Sequence, residues 1–190
     1  MTVTLPADNG PVPPTTLPPP TRVITTHTPD GKSVFERSFP REIPVQEIEA
    51  GASASLTYVT KIPASLTKDA DVNNYSALLK DPPGLTISDA AVLRSYDMAP
   101  GVESPLHRTM SIDFLVVLRG EMLLTLDSGE TENIRAGEVV VQRGTMHSWK
   151  NVSSDWARML AVTIPVNNLV VGGEVMGEHL GGIPGLKDST

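Results

Sequence analysis

Residues 101–120 read GVESPLHRTMSIDFLVVLRG, and residues 137–151 read GEVVVQRGTMHSWKN. In the first stretch, four polar side chains stand at every second position, at His107, Thr109, Ser111 and Asp113. Side chains two apart on an extended strand point to the same face, so these four are expected to share one face of a sheet. Burying an imidazole and a carboxylate without partners is costly. The shared face is therefore expected to be a paired polar cluster, a solvated pocket or a metal site.

Short strands and turns continue on both sides of these stretches. The helical spacing of apolar residues in Asp71–Lys80, followed by Pro82-Pro83-Gly84, predicts one helix. The turn residues Asp127-Ser128-Gly129 predict a hairpin. Closely spaced short strands of this kind indicate an all-β sandwich or barrel with one short outer helix. The predicted strands are Arg22–His27, Val34–Ser38, Ser53–Lys61, Ala91–Met98, Ser111–Leu118, Glu121–Leu126, Glu138–Gln142, His147–Lys150 and Ala157–Ile164.

The composition is that of a globular protein and excludes several function classes. The chain has 190 residues, of which 39% are hydrophobic, and this is enough for one real core. The net charge of −7 and the absence of a Lys/Arg cluster argue against nucleic-acid binding, and no apolar run is long enough to cross a membrane. With no cysteine and no signal-peptide pattern at the start of the sequence, we expect a cytoplasmic location.

Proline and glycine mark the two ends of the domain. Seven prolines in the first twenty residues predict a disordered or extended tail over residues 1–21. A single domain is expected over residues 22–171. The six glycines that follow predict an irregular tail over residues 172–190.

The two quoted stretches resemble the two motifs of the cupin superfamily. The chain is similar to small single-domain cupins found in fungal and bacterial gene sets for secondary metabolism. The resemblance implies a cupin-type, jelly-roll-like antiparallel β-barrel over most of Ala50–Val171. The residues that match the two motifs in spacing are Gly101, His107 and Gly120 in the first, and Gly144, His147 and Asn151 in the second.

The sequence departs from the cupin pattern at three positions of the site. Thr109 stands where the family has its second His, Asp113 replaces the family's Glu, and Gln142 replaces a Pro. In the family, three imidazoles and one carboxylate bind a divalent metal. The resemblance leaves His107, Asp113 and His147 as possible ligands here, and such a set can hold one divalent ion facially. A site without any cofactor is the alternative, and both stay open.

Three functions are compatible with this pattern. The first is a lyase or isomerase, in which His107 and His147 act as acid and base next to a carbonyl and Asp113 sets orientation and charge. Dehydration, cyclisation or tautomerisation of a polyketide-like or aromatic metabolite would fit. The second is a non-haem iron oxygenase of small aromatic compounds, and the third is ligand binding without turnover. The missing second His favours the first.

Other polar side chains are expected around a small, largely apolar substrate. Trp149 has the same strand parity as His147, and Arg143 precedes the Gly144 turn, where it could meet an anionic group. The remaining histidines, His27 and His179, are expected at the surface. The expected substrate-binding residues are Thr109, Ser111, Trp149 and Arg143.

We predict that the chain forms a homodimer to which the segment Arg22–Ser38 contributes. Sheet edges need covering, and the resemblance implies pairing through an edge strand or an exchanged N-terminal segment. Light scattering at micromolar concentration measures the mass directly. A monomer at that concentration contradicts the prediction.

Overall fold

The structure is a computed structural model that describes residues 15–183, 187 and 189. The first fourteen residues of the predicted N-terminal tail therefore lie outside the described residues. The elements are β1 (Ile24–His27), β2 (Ser33–Glu36), β3 (Gln46–Glu49), β4 (Ala52–Lys61), the helix α1 (Ala70–Lys80), β5 (Ala90–Met98), β6 (Ser111–Arg119), β7 (Glu121–Leu126), β8 (Thr131–Arg135), β9 (Val139–Arg143), β10 (His147–Asn151), β11 (Ala157–Pro165), β12 (Val170–Val171) and β13 (Glu174–Val175).

Two antiparallel sheets enclose the core. The larger sheet has the strand order β3-β4-β5-β11-β6-β9, and the smaller one has the order β10-β7-β8. Met98, Leu115 and Met159 of the larger sheet pack in one buried cluster with Met122 and Trp149 of the smaller sheet, so the core lies between the two. The predicted mainly β, antiparallel architecture with one short α-helix is confirmed for the described residues.

Buried and more exposed residues alternate along β6. Ser111, Asp113 and Leu115 are buried, whereas Phe114 and Leu118 between and beyond them are exposed. A strand with one covered face produces this period of two. The face predicted from the sequence is therefore the inner face of the larger sheet.

The helix packs against β4 and β5 of the larger sheet, on the face that carries Val59 and Val92. It begins at Ala70 and ends at Lys80, one residue longer than predicted. Tyr75 is its main anchor, because the side chain is fully buried against Leu56 and Val59, and its hydroxyl donates to the Leu56 carbonyl at 2.9 Å. This helix is too short and polar to cross a membrane, and no helix among the described residues qualifies as a span.

The described part of the N-terminal tail is extended and attached to the domain. Leu17 is buried against Ala99 and Trp156. The Arg158 guanidinium donates to the Pro18 carbonyl at 2.9 Å and also forms two bonds of 2.6 Å with the Asp97 carboxylate. Residues 15–21 of this tail are therefore in contact with the domain.

Four strands were absent from the prediction, and each lacks an apolar alternation. In β8 only Ile134 is buried, and no residue of β3 is. The hairpin of β12 and β13 is fully exposed, and its second strand lies in the tail predicted to be irregular, which corrects that expectation. β1 begins at Ile24 rather than at Arg22, because Arg22 bonds instead to the Arg41 carbonyl.

Gly120 lies in a crowded turn, and we predict a large cost for Gly120→Ala. Its φ is +84°, and an added Cβ would lie 2.7 Å from the Ala157 Cβ and from the Ser153 Oγ. Backbone strain and overpacking together should lower the free energy of unfolding by about 2–4 kcal/mol, measured by urea denaturation.

Gly129→Ala is the matched control. Its φ is +87°, but an added Cβ would meet nothing within 4 Å. It should therefore lose only the backbone contribution, about 1 kcal/mol. Equal losses in the two variants would show that packing at Gly120 is not the cause.

Candidate functional site

His107 and His147 face each other directly between the two sheets. Their backbones form an antiparallel bridge, in which each amide N–H donates to the other residue's carbonyl at 2.9 Å. The two side chains project from the same side of this bridge, and the centroids of their imidazole rings are 4.2 Å apart with an interplanar angle of 55°. The structure thus places the first-motif and second-motif histidines in contact.

Backbone carbonyls orient both rings. The Nδ1 of His107 lies 2.8 Å from the Pro105 carbonyl oxygen, and the Nδ1 of His147 lies 2.9 Å from that of Thr145. Because a carbonyl oxygen only accepts, Nδ1 carries the hydrogen on each ring, and Nε2 of each neutral ring has a free lone pair. The expectation that Asp113 orients the histidines is therefore corrected, since the backbone two residues before each ring does so.

Both rings are neutral at neutral pH. Burial lowers the pKa of His107, and burial together with the nearby His107 lowers the pKa of His147 to about 4. The hydrogen bonds to the carbonyls act in the opposite direction but do not outweigh burial. Two neutral imidazoles with free Nε2 atoms can accept protons from a ligand, and they repel a second proton once one has bound.

Asp113 belongs to a hydrogen-bonded chain beside this pair. The Thr109 hydroxyl donates to Ser111 Oγ at 2.7 Å, and Ser111 donates to Asp113 Oδ1 at 2.6 Å. The Gln142 amide donates to the other carboxylate oxygen at 2.8 Å. Burial raises the pKa of Asp113, and these hydrogen bonds act against that rise. The carboxyl group of Asp113 is thus held in place by its hydrogen bonds with Ser111 and Gln142.

Gln142 is a site residue that sequence reasoning did not assign a role. The signal was present, because Gln142 replaces a Pro of the family pattern. Its partner could be found only from the strand register, in which β6 and β9 place Asp113 opposite Gln142.

A cavity of about 100 Å³ lies between the sheets and includes the histidine pair. An engineered cavity on the order of 150 Å³ holds one benzene ring. This space is smaller but open on one side, so part of an organic ligand can lie inside it and the rest can extend outward. Apolar side chains such as Leu115 and Met159 form much of its wall, and Tyr96 also lines it. Burial raises the pKa of Tyr96, so its phenol stays neutral.

The other predicted site residues divide into three groups. Thr109 and Trp149 line the cavity, as do Asp113 and both histidines of the pair. Ser111 is fully buried within the hydrogen-bonded chain and does not reach the cavity surface. Arg143 is exposed and lies outside the lining, because it follows the inward Gln142 on β9 and points the other way. Its expected role in substrate binding is corrected.

The side chains do not assemble the metal site that the resemblance implies. Both carboxylate oxygens of Asp113 accept hydrogen bonds, and the hydroxyl at position 109 is bonded to Ser111. Within residues 15–183, 187 and 189, no three His, Cys, Asp or Glu side chains are arranged to hold a metal ion. The facial set of His107, Asp113 and His147 therefore does not form in this arrangement.

Comparison with known proteins finds a cupin family model and relatives that are named for cupin domains or biosynthesis clusters. A family model described as "Cupin domain" matches residues 94–163. The chain is 44% identical to "Phomopsin biosynthesis cluster protein C'" of Diaporthe leptostromiformis, over 88% of this chain and 87% of that protein. It is 40% identical to "Oryzines biosynthesis cluster protein J" of Aspergillus oryzae, over 84% of this chain and 90% of that protein. It is 38% identical to "Cupin-domain-containing oxidoreductase fogC" of Aspergillus ruber, over 84% of this chain and 79% of that protein.

These similarities extend well beyond the two motifs. The aligned regions include the helix α1 and strands of both sheets as well as the histidine pair. The relatives also match this chain over most of their own length, so the likeness is one of whole domains. This chain therefore belongs to the cupin superfamily.

Proposed function

We propose that this chain is an enzyme of secondary metabolism that moves a proton on a small carbonyl compound, as a lyase or isomerase. The observation that carries the proposal is the pair of neutral imidazoles that line one largely apolar cavity, each with its Nδ1 bonded to a backbone carbonyl. The similarity to proteins named for fungal biosynthesis clusters supports a metabolite as the substrate. Dehydration, ring closure and tautomerisation all need such an acid–base pair.

The proposed step begins with abstraction of a proton from the carbon next to a carbonyl. One Nε2 lone pair takes the proton, and the electrons of the broken C–H bond form an enolate. The resulting imidazolium then donates the proton to a hydroxyl on the neighbouring carbon. That hydroxyl leaves as water while the enolate electrons form a C=C bond, which completes a dehydration. Return of the proton to another atom of the enolate completes a tautomerisation.

The close contact of the two rings suits this cycle. At a centroid separation of 4.2 Å, two positively charged rings would repel each other. The pair therefore binds at most one proton in addition to the hydrogens on its two Nδ1 atoms. The low pKa of the pair makes its imidazolium a strong acid toward a leaving hydroxyl, and it makes the neutral ring a weaker base in the first step. Because each Nδ1 is already bonded to a carbonyl, the proton enters and leaves at Nε2, where the substrate lies.

An oxidoreductase is the second candidate, because the names of several relatives favour it. The two candidates give different products. A lyase or isomerase product has lost water or has the same composition as the substrate. An oxidoreductase product has lost hydrogen or gained oxygen, and an oxidant is consumed with it. Mass spectrometry of the product, with metal analysis of the purified protein, separates the two.

We predict that His107→Gln and His147→Gln each slow the proton transfer by about a hundredfold. Glutamine is neutral and similar in size but cannot take the proton. The measurement is NMR of a β-hydroxy ketone, diacetone alcohol, incubated with the protein in D₂O. Deuterium entering next to the carbonyl, and mesityl oxide formed by loss of water, report the two halves of the reaction.

The matched control is His27→Gln, since His27 is exposed and far from the cavity lining. The His27→Gln protein should introduce deuterium into the ketone at the wild-type rate. Full activity in both site variants, with melting temperatures near that of the wild type, would contradict the proposal. A wild-type protein that binds the ketone without exchange would favour ligand binding without turnover.

We also predict that the protein loses stability as the pH falls below about 6.5. In the unfolded chain a histidine takes a proton near pH 6.5, whereas folded His147 does so only near pH 4. Between these values the unfolded state binds more protons, so the free energy of unfolding falls by about 1 kcal/mol per pH unit on acidification. Asp113, whose pKa is raised, binds its proton in the folded state and opposes this loss at the acidic end.

Urea denaturation between pH 7.5 and 5.5 measures how the free energy of unfolding depends on pH. This range lies above the pH at which most carboxyl groups take up protons. His147→Gln should make the dependence shallower, and His27→Gln should leave it unchanged. The same steep dependence in His147→Gln would show that another group causes it.

A further inference from the structure

Two side chains of the cavity wall each have a buried polar atom without a hydrogen-bond partner among the described residues. They are Nε1 of Trp149 and Oε1 of Gln142. Trp149 is 4% exposed and Gln142 is 5% exposed, and both line the cavity. Buried polar groups in folded proteins are nearly always paired, so each unpaired group calls for a reason.

The two atoms have opposite hydrogen-bonding characters. An indole N–H can only donate, and an amide oxygen can only accept. The amide nitrogen of Gln142 is already bonded to Asp113, which fixes its oxygen as the free end. Trp149 lies on β10 of the smaller sheet and Gln142 on β9 of the larger one. Two walls of the cavity therefore each carry one unpaired polar group, a donor on one wall and an acceptor on the other.

We infer that the ligand of this cavity is a hydroxylated aryl ketone, or a compound with the same three features. Its carbonyl oxygen accepts the hydrogen bond from the Trp149 indole, and its hydroxyl donates to the Gln142 amide oxygen. Its apolar ring packs against Leu115 and Met159. This inference rests on the proposed function and specifies the substrate class of the same site.

The position of Trp149 relative to the histidine pair supports this assignment of the carbonyl. Trp149 and His147 are two residues apart on β10, so both side chains project into the cavity from the same face of the strand. A carbonyl held by the indole N–H then lies on the same wall of the cavity as the His147 imidazole. The same hydrogen bond stabilises the negative charge that reaches the oxygen when the carbon next to the carbonyl loses its proton.

Trp156 provides an internal comparison. Its Nε1 is also buried without a partner among the described residues, and the side chain is 7% exposed. However, it packs against Leu17 and Ala99 and does not line the cavity. Replacing either tryptophan by phenylalanine removes one N–H and part of one ring, but only Trp149→Phe changes a side chain that lines the cavity.

The test measures the affinity of the full chain for three probes by calorimetry or ligand-observed NMR. para-Hydroxyacetophenone has both the donor and the acceptor, para-methoxyacetophenone lacks the donor, and para-ethylphenol lacks the carbonyl. In the wild type, each of the two incomplete probes should bind about fivefold more weakly than the complete one. In Trp149→Phe, the two ketones should lose about five- to tenfold more affinity than para-ethylphenol. Trp156→Phe should bind all three probes as the wild type does.

An equal loss for all three probes in Trp149→Phe would show that only ring packing is lost, and this would overturn the inference. So would equal affinities in the wild type, or no binding of para-hydroxyacetophenone at millimolar concentration. If Trp149→Phe does not fold, the wild-type order of the three probes decides the matter. Binding is measured without turnover, so a failure of the proposed proton transfer leaves this test intact, and the reverse also holds.

Discussion

The two backbone hydrogen bonds between His107 and His147 are the contact on which the site depends. They join the segment that leads into β6 of the larger sheet to the start of β10 in the smaller sheet. Residues paired in this way present their side chains on the same side, so the two imidazoles must meet. The cavity follows from the same contact, because it fixes where one end of the two sheets comes together.

Beside this contact, a set of hydrogen bonds occupies the positions that would otherwise supply metal ligands. Thr109, Asp113 and Gln142 each differ from the cupin pattern, and the three differences form one connected structure. A shorter carboxylate accepts bonds from Ser111 and from the glutamine that replaces a proline. Considered separately, each substitution weakens a metal site. Together they give the buried carboxylate of Asp113 a hydrogen-bond partner on each oxygen.

The sequence predicted the fold best where one face of a strand is buried. The alternation in β6 and the helical spacing of α1 are strong signals, and both elements lie within one residue of their predicted bounds. Strands such as β8 were missed because a mostly exposed strand carries no such alternation. The histidine pair and its cavity were predicted from parity and resemblance. The partners of Asp113 were not, since they depend on the register between strands far apart in sequence.

The prediction for Arg143 failed for a related reason. Ending β9 at Gln142 left the arginine in a loop, where its direction is free. The strand in fact includes Arg143, and its parity then directs the side chain to the outer surface. One residue of strand length therefore decides whether a positive charge reaches the substrate.

The way the imidazoles are oriented also bears on how such a domain can change during evolution. Main-chain carbonyls, unlike carboxylates, are present whatever residue occupies the position, so mutation of neighbouring side chains leaves the ring tautomers intact. A gene copy can therefore acquire new wall residues, and with them a cavity of different shape, while the two imidazoles keep their orientation. A site built this way can diversify by small steps, each of which leaves the histidine pair intact.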